Sequence, residues 1–394
     1  MRHRVARARE LILLAMLAAS SACVPGCNGR GEGVDAVTAF AERLRAEIGA
    51  DSDPWTLAHG LLGLGAGLEV EGERASVLLI RRWLGEDPRR GPSFELKGDG
   101  GRLGEQHPHL VLKTFAELGI EPALSERLAR AATGSFDPPR DFEGWNDSAW
   151  LLDATAHLEA WGRDRALGGT SAATGDSARA AMTVGELALG VLARVEEGDR
   201  RVEEALDLGG EEGFTRPSGT GEPAESGIYA YTCGGQHLLG AVIAAAGAGF
   251  YGDDALPRVR ARVEVLIGRL EGEFRFRARE EERAIAAGIS PIRARREGAQ
   301  ALLKLLGHGL ENLARAHAAG LGDRARLTEA MERQRARLEE VFRAYLEELD
   351  PEGTIFPSLR EGEPERWQRW FGDGCHALRG WSLSEEILRR SGGR

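Results

Sequence analysis

The chain of 394 residues has few lysines, few cysteines and few aromatic residues. Lysine occurs three times, so arginine carries nearly all of the positive charge. No segment reaches the run of about 18 apolar residues that a membrane-spanning helix needs, which predicts a soluble body. The net charge is −11, and no basic stripe is interleaved with aromatic residues. Because nucleic-acid phosphates would repel such a chain, we do not expect a nucleic-acid partner.

Motifs of several enzyme classes are absent as well. The glycine-rich stretches 98–104 and 219–221 lack the preceding strand and the Gly-Lys-Ser/Thr ending of a phosphate-binding loop. A serine nucleophile elbow is also missing. Without a specific catalytic motif, binding or scaffolding is favoured over catalysis.

The first 22 residues have the pattern of an export signal. The basic segment MRHRVARAR precedes the apolar run LILLAMLAA and then the small residues SSAC. This order resembles a bacterial lipoprotein signal, which implies a lipid on Cys23 and a glycine-rich tether over 23–33. Cys27 in VPGC is the alternative lipidation site, and an ordinary secretory signal is the alternative interpretation. Val24 follows Cys23, so the resemblance implies the outer membrane of a Gram-negative bacterium, with membrane contact through the N-terminal lipid only.

From residue 34 onwards the pattern is helical. Apolar residues recur at spacings of three and four, and alternating β-branched runs are nearly absent, which predicts an all-α domain over 34–394. Long loops are predicted at 86–104, 134–144, 209–228 and 349–366. The predicted helices are 34–49, 54–67, 73–84, 106–118, 122–133, 145–161, 176–196, 199–208, 232–247, 254–285, 293–319, 323–348 and 374–391.

Two kinds of helix alternate along the chain. Six segments are rich in glycine, alanine and leucine, for example TLAHGLLGLGAG and TCGGQHLLGAVIAAAGAG, whereas segments such as LTEAMERQRARLEEVFRAYLEEL are charged on most faces. A helix that is apolar on more than one face is buried, and a helix with a broad charged face lies outside. The alternation predicts an (α/α)6 toroid of inner and outer helices. Each inner segment carries a histidine, and these are His59, His109, His157, His237, His308 and His376.

The inner segments also carry a family resemblance. LAHGLLGLG, which contains His59, resembles the His-Gly-x-x-Gly repeat of lanthionine synthetase C-like proteins, which belong to the α/α-toroid group together with prenyltransferase β subunits and terpenoid cyclases. In that family a cysteine opens one inner helix and a Cys-His pair opens a later one, and they hold zinc. Cys233 in YTCGG and Cys375-His376 in GDGCHALRG follow the same order. The Gln-Trp repeats and the Asp-rich motifs of the cyclases are absent.

A candidate zinc site combines these residues. In a toroid the N-termini of the inner helices face one shared cavity, where backbone N–H groups attract anions. Thiolate and imidazole are ligands that zinc prefers, and three protein ligands with a water would form a catalytic site. His237, one helical turn after Cys233, is a substitute ligand. A Cys233–Cys375 disulfide and free thiols are the alternatives. The predicted ligands are Cys233, His308, Cys375 and His376.

Other residues are candidates for catalysis. Asp147 lies between two tryptophans and is either the N-cap of the next helix or a carboxylate that faces the cavity. Exported toroids that cleave sugars suggest Asp153, Tyr229 and Tyr231 as its partners, and a hydrolase needs two carboxylates at a set separation. Imidazole titrates near neutral pH. The candidate histidines are His59, His107 and His109.

Three functions are therefore expected. The first is a cell-envelope lipoprotein whose cavity binds a small molecule, a glycan or an envelope protein, with zinc as the candidate cofactor. The second is a carbohydrate-active enzyme that uses Asp147. The third is a noncatalytic scaffold with a Cys233–Cys375 disulfide.

Overall fold

The computed structural model describes residues 35–87, 91–94, 107–168, 182–209, 214 and 227–392. The predicted signal segment 1–22, the tether 23–33 and the lipidation site Cys23 lie outside these ranges. Within them the chain forms 13 α-helices and two short antiparallel hairpins, which confirms the all-α prediction. By its contacts, Ala36–Arg394 forms one compact unit.

The helices are bounded as follows. They are α1 Ala36–Ala46, α2 Pro54–Leu64, α3 Ala75–Trp83, α4 Leu110–Leu118, α5 Pro122–Gly134, α6 Phe142–Ala156, α7 Val184–Leu208, α8 Gln236–Gly247, α9 Leu256–Ala286, α10 Pro291–Ala318, α11 Arg324–Ala344, α12 Ile355–Gly362 and α13 Pro364–Gly392. Two 3₁₀ turns, Gly227–Ala230 and Thr232–Gly235, precede α8, and a π-helical turn, Tyr345–Leu349, follows α11. The strands are β1 Glu69–Val70, β2 Glu73–Arg74, β3 Gly85–Asp87 and β4 Gly91–Ser93, paired β1 with β2 and β3 with β4.

The helix ends follow local sequence signals. Asp53 caps α2 by accepting a hydrogen bond of 2.7 Å from the Thr56 N–H, and Pro54 occupies the first turn. Thr183 and Glu186 form a reciprocal capping box at the start of α7. Gly119 ends α4 in the left-handed conformation, as the sequence predicts.

Several helix boundaries differ from the predicted ones, and three differences change the elements themselves. Helix α7 continues through Gly198, where two helices were predicted. This glycine lets the backbone of Ile228 approach the helix closely. Helix α12 occupies part of the predicted loop 349–366. Helix α13 starts at Pro364 rather than at residue 374, so Cys375 and His376 lie about three turns inside the helix instead of at its start.

The six segments predicted to be inner helices contact one another in a closed series. Helix α2 contacts α4 and α13, α6 contacts α4 and α8, and α10 contacts α8 and α13. Helix α2 shows their character, since nine of its 11 residues are buried. The charged helices α1, α3, α5, α7, α9 and α11 pack against members of this series.

A search of the described helices for a membrane span gave none, since none combines the required length with sufficient hydropathy.

Candidate metal centre

A cavity of about 780 Å³ lies between α2, α8, α10 and α13. Its wall includes residues that precede or open helices, namely Trp55, His107 and Cys233, as the sequence predicts for one end of the inner series. On α13, however, the wall residues extend from Glu365 to His376. The cavity is therefore formed partly by helix starts and partly by the middle of a long helix.

Helical spacing arranges the polar wall residues in two layers. On α10, His308 follows Lys304 by four residues, and on α13 His376 follows Asp373 by three. Residues at these spacings lie on one face of a helix. Cys233 lies outside α8, and the donor atoms of Cys233 and His237 are within 4.8 Å of each other. The outer layer consists of Cys233, Lys304 and Asp373, and the inner layer consists of His237, His308 and His376.

The three imidazoles of the inner layer are in mutual contact. The ring centroids of His308 and His376 are 3.9 Å apart, and that of His237 lies 4.6 Å from His308 and 5.2 Å from His376. Glycine permits this approach of α10 and α13. A Cβ on Gly307 would lie 2.6 Å from the nitrogen of Ala377, which is closer than two helices tolerate.

Hydrogen bonds orient these rings. The Nδ1 atom of His376 lies 2.6 Å from Oε1 of Glu311. Burial raises the pKa of Glu311. When its carboxylate is ionised it only accepts hydrogen bonds, so Nδ1–H donates and the lone pair of His376 is then on Nε2. Within the described part of the chain, the buried Nε2 atoms of His308 and His376 have no hydrogen-bond partner. Two unpartnered ring nitrogens in a polar cavity indicate a missing ligand.

Burial favours the neutral form of the three imidazoles. It lowers the pKa of His237, His308 and His376 well below the usual value, and repulsion between neighbouring imidazoles adds to the effect. Neutral imidazole is the form that binds metals. Burial also raises the pKa of the Cys233 thiol to about 12, although the Lys304 ammonium opposes the shift. Cys233 is thus protonated unless a cation such as a metal ion stabilises its thiolate.

Two overlapping sets of donor atoms have the spacing of a metal site. Cys233, His237 and His308 form one set, and His308, Glu311 and His376 form the other, with donor atoms within 4.8 Å of one another in each set. Sulfur and imidazole nitrogen favour zinc. Of the four predicted ligands, Cys233 and His308 lie in the first set, and His308 and His376 lie in the second. His237, the predicted substitute, belongs to the first set, and Glu311, which was not predicted, belongs to the second. Its position three residues after His308, on the same face of α10, is a signal that the sequence does contain.

Cys375 was predicted to be a ligand, but it does not belong to either set. It is fully buried at the contact of α13 with α2, where a Cβ on Gly63 would lie 2.8 Å from the Cys375 Cα. Successive residues point about 100° apart around a helix, so Cys375 and His376 face different neighbours. Cys233 and Cys375 are both free cysteines, and the predicted disulfide is not formed.

The backbone around Cys233 has a strained conformation. Cys233, Gly234 and Gly235 all have positive φ angles, and for cysteine this is uncommon. Asn146 accepts a hydrogen bond of 3.0 Å from the Thr232 N–H, and Arg269 donates one of 2.8 Å to the Gly234 carbonyl. These contacts hold the thiol at the cavity, and neither Asn146 nor Arg269 was predicted to take part.

Of the other residues that were predicted to be catalytic, His59 lies at the inner layer. His59 lines the cavity, its ring centroid 5.3 Å from that of His376, and its Nδ1–H donates to the Trp55 carbonyl at 2.8 Å. Asp147 lies in the second turn of α6, where Asp141 is the N-cap, and is absent from the cavity wall. His109 precedes α4 with φ of 67° and is also absent from that wall.

The remaining candidates have other partners. The Tyr229 hydroxyl donates to Glu273 at 2.9 Å, and Tyr231 packs against Phe142. His107, which does line the cavity, stacks on Trp150 with 5.0 Å between centroids. These positions exclude the predicted pairing of Asp147 with Tyr229 and Tyr231 in this cavity.

Buried ion pairs occupy the far side of the inner layer. Glu117 contacts Lys113 at 3.1 Å, Arg315 at 2.7 Å and Arg379 at 2.9 Å. Asp153 contacts Arg315 at 3.2 Å and Lys113 at 3.7 Å. Although burial opposes it, the cations hold the pKa of Glu117 well below the usual value. Asp153, a predicted catalytic residue, therefore belongs to this network.

Comparison of the chain with protein-family models, curated proteins and solved structures gave no match.

Proposed function

We propose that this protein binds a zinc ion in the cavity and uses it to hold a small ligand. The buried, neutral His308 and His376, whose Nε2 atoms have no partner among the described residues, carry the proposal. His237 and Cys233 supply further donors of the kind that zinc prefers. A bound zinc ion would supply Lewis acidity to a ligand or a water in the cavity.

Other residues of the chain would orient a metal ligand or contact the molecule that enters the cavity. Glu311 is a positioning residue, because its contact with Nδ1 directs Nε2 of His376 towards the ion. Lys304 and Asp373 lie in the outer layer, where a ligand that enters the cavity meets them first. Burial raises the pKa of Asp373 to about 6, and Gln300 donates a hydrogen bond of 3.0 Å to it.

The wider proposal places this site in an (α/α)6 toroid at the cell envelope. The closed series of contacts among α2, α4, α6, α8, α10 and α13 supports the toroid. The basic, apolar and small-residue order before Cys23 supports a lipoprotein anchored in the outer membrane. The partner would be a small molecule, a glycan or an envelope protein.

Metal content tests the site. We expect about one zinc per purified chain, with loss of the metal in His308→Gln because one central ligand is removed. His157→Gln is the matched control, since His157 contacts Asp153 outside the cavity wall. Cys233→Ala should weaken metal binding and Cys375→Ala should not. Equal metal content in His308→Gln and the parent chain, or no metal in either, would contradict the proposal.

A carbohydrate-active enzyme is the second candidate. Asp373, rather than Asp147, favours it, because a carboxyl group with a pKa of about 6 suits a general acid. Glu365 and Trp55 lie in the same cavity wall and offer a second carboxylate and an aromatic platform. Glycan cleavage that persists in metal-free protein and disappears in Asp373→Asn would favour this function over the zinc site.

A further inference from the structure

The hairpin of α9 and α10 is formed by two of the longest described helices and has an exposed end. These helices have 31 and 28 residues, whereas α2 and α4 have 11 and 9. No residue from 277 to 293 is buried. Lys304, in the outer layer of the cavity, follows Pro291 by 13 residues on α10, so the tip stands about 20 Å beyond that layer.

The tip of this hairpin is uncharged and apolar. Residues 284–292, AIAAGISPI, contain no ionisable side chain. Ile285 and Ile292 are 36% and 44% exposed, which makes them two of the few large apolar side chains that face solvent. We name residues 284–292 the hairpin tip. Large apolar side chains at an exposed tip indicate a contact that the chain alone does not complete.

Charge identifies the kind of surface that the hairpin tip fits. The segment 275–297 contains seven arginines and four glutamates, whereas the whole chain has a net charge of −11. Arg283 and Arg293 directly bracket the tip. An apolar tip flanked by arginine is suited to the boundary between anionic headgroups and acyl chains.

The backbone of the hairpin tip is suited to this environment as well. Gly288, with φ of 90°, allows a turn in which its own N–H donates to the Ile285 carbonyl and the Ile289 N–H donates to the Ala284 carbonyl. The Ala287 N–H donates to the Arg283 carbonyl. Because these backbone donors already have partners, moving the tip out of water costs less.

The base of the hairpin is fixed to the body. Arg296 donates a hydrogen bond of 3.0 Å to the Leu349 carbonyl, and Arg295 lies 3.6 Å from Glu348. Phe276 is buried against Phe214. A fixed base means that the position of the tip determines the direction in which the cavity faces.

We infer that the hairpin tip docks on a bilayer surface that contains anionic lipid. This contact is additional to the predicted N-terminal lipid, and it is independent of the zinc site. Docking turns the cavity end of the inner helices towards the membrane. A ligand at the membrane surface is then close to the entrance of the cavity.

Hydrogen exchange of the full-length chain on vesicles tests the inference. With vesicles of phosphatidylglycerol and phosphatidylcholine we expect exchange in peptides covering 284–292 to slow about fivefold or more. Phosphatidylcholine vesicles, or added salt, should leave exchange near the value in solution because the charge attraction is absent or screened. Ile285→Asp combined with Ile292→Asp should abolish the slowing.

The matched control replaces two equally exposed apolar residues elsewhere. Val77 and Leu189 are 43% and 40% exposed, and Val77→Asp combined with Leu189→Asp should leave the protection of the hairpin tip unchanged. Unchanged exchange on anionic vesicles in the parent chain would overturn the inference. Protection that persists in the Ile285/Ile292 variant would also overturn it, as would protection without vesicles that rises with protein concentration, since the tip would then contact a second copy.

Discussion

The interior of the helix series has two halves that are lined by the same helices. They differ in whether their buried polar side chains have partners within the chain. On α10, Arg315 lies two turns beyond His308 of the inner layer, and on α13, Arg379 lies about one turn beyond His376. In the cavity half, buried imidazoles are neutral and have unpartnered nitrogens. In the far half, every charge of the network contacts an opposite charge within 4 Å.

The difference distinguishes polar groups that stabilise the fold from polar groups that are available to bind a ligand. A buried charge must be paired, because an uncompensated one costs several kcal/mol. The network around Glu117 meets this requirement from within the chain. The histidine cluster is different, because the buried Nε2 atoms of His308 and His376 have no partner among the described residues, and a partner from outside, such as a metal ion, would complete it. Burial alone would not have distinguished the two halves, since both are almost inaccessible to water.

The largest effect is expected in the paired half. Arg315→Met leaves Glu117 and Asp153 with less compensation, and we expect the free energy of unfolding to fall by about 3–5 kcal/mol. Arg326→Met is the control, since Arg326 forms an exposed pair with Glu264 that contributes about 0–1 kcal/mol. Urea unfolding measures both. Equal effects of the two substitutions would show that the network is not a structural element.

The cavity half should make the metal-free protein sensitive to acid. Burial lowers the pKa of His59, His237, His308 and His376, so only the unfolded chain takes up these protons as the pH falls through about 6.5. Stability is therefore present above that pH and is lost below it. We expect a loss of about 2–3 kcal/mol between pH 7.5 and 6. Asp373, whose pKa is raised to about 6, opposes this mainly at lower pH.

Urea unfolding of metal-free protein at a series of pH values checks this dependence. Replacing both His308 and His376 by Gln should reduce the slope of stability against pH, because two of the buried imidazoles no longer titrate. Stability that stays constant or increases on acidification from pH 7.5 to 6 would mean that these imidazoles are not buried as neutral groups.

A smaller effect, on zinc affinity, is expected for Glu311 at the boundary between the cavity half and the far half. In Glu311→Gln the amide can donate to Nδ1 of His376, which moves the ring proton to Nε2 and removes the metal-binding lone pair. We expect zinc affinity to fall about 10–100-fold, with a metal site still present. Competition with a chelator measures the change. The affinity of Gln334→Ala, which removes a buried side chain between α11 and α9, should stay unchanged.

Much of the fold could be predicted from the sequence, because glycine- and alanine-rich helices and charged helices bury different amounts of surface. The prediction found all six helices of the closed series, but Cys233 precedes α8 in a non-helical conformation, so its proximity to His237 does not come from a shared helical face. It was wrong about Cys375. Sequence order placed Cys375 beside His376, and the early start of α13 put their side chains on different sides of the helix.

By itself the sequence determined the helical class, the alternation of apolar and charged helices and the presence of a histidine in each apolar segment, since periodicity and composition are local properties. The tertiary structure alone decided which polar residues meet. Contact of α10 with α13 at Gly307 set His308 beside His376, and the same contact set Arg315 and Arg379 around Glu117. These residues lie up to 262 positions apart, and only the rotation and depth of packed helices bring them together.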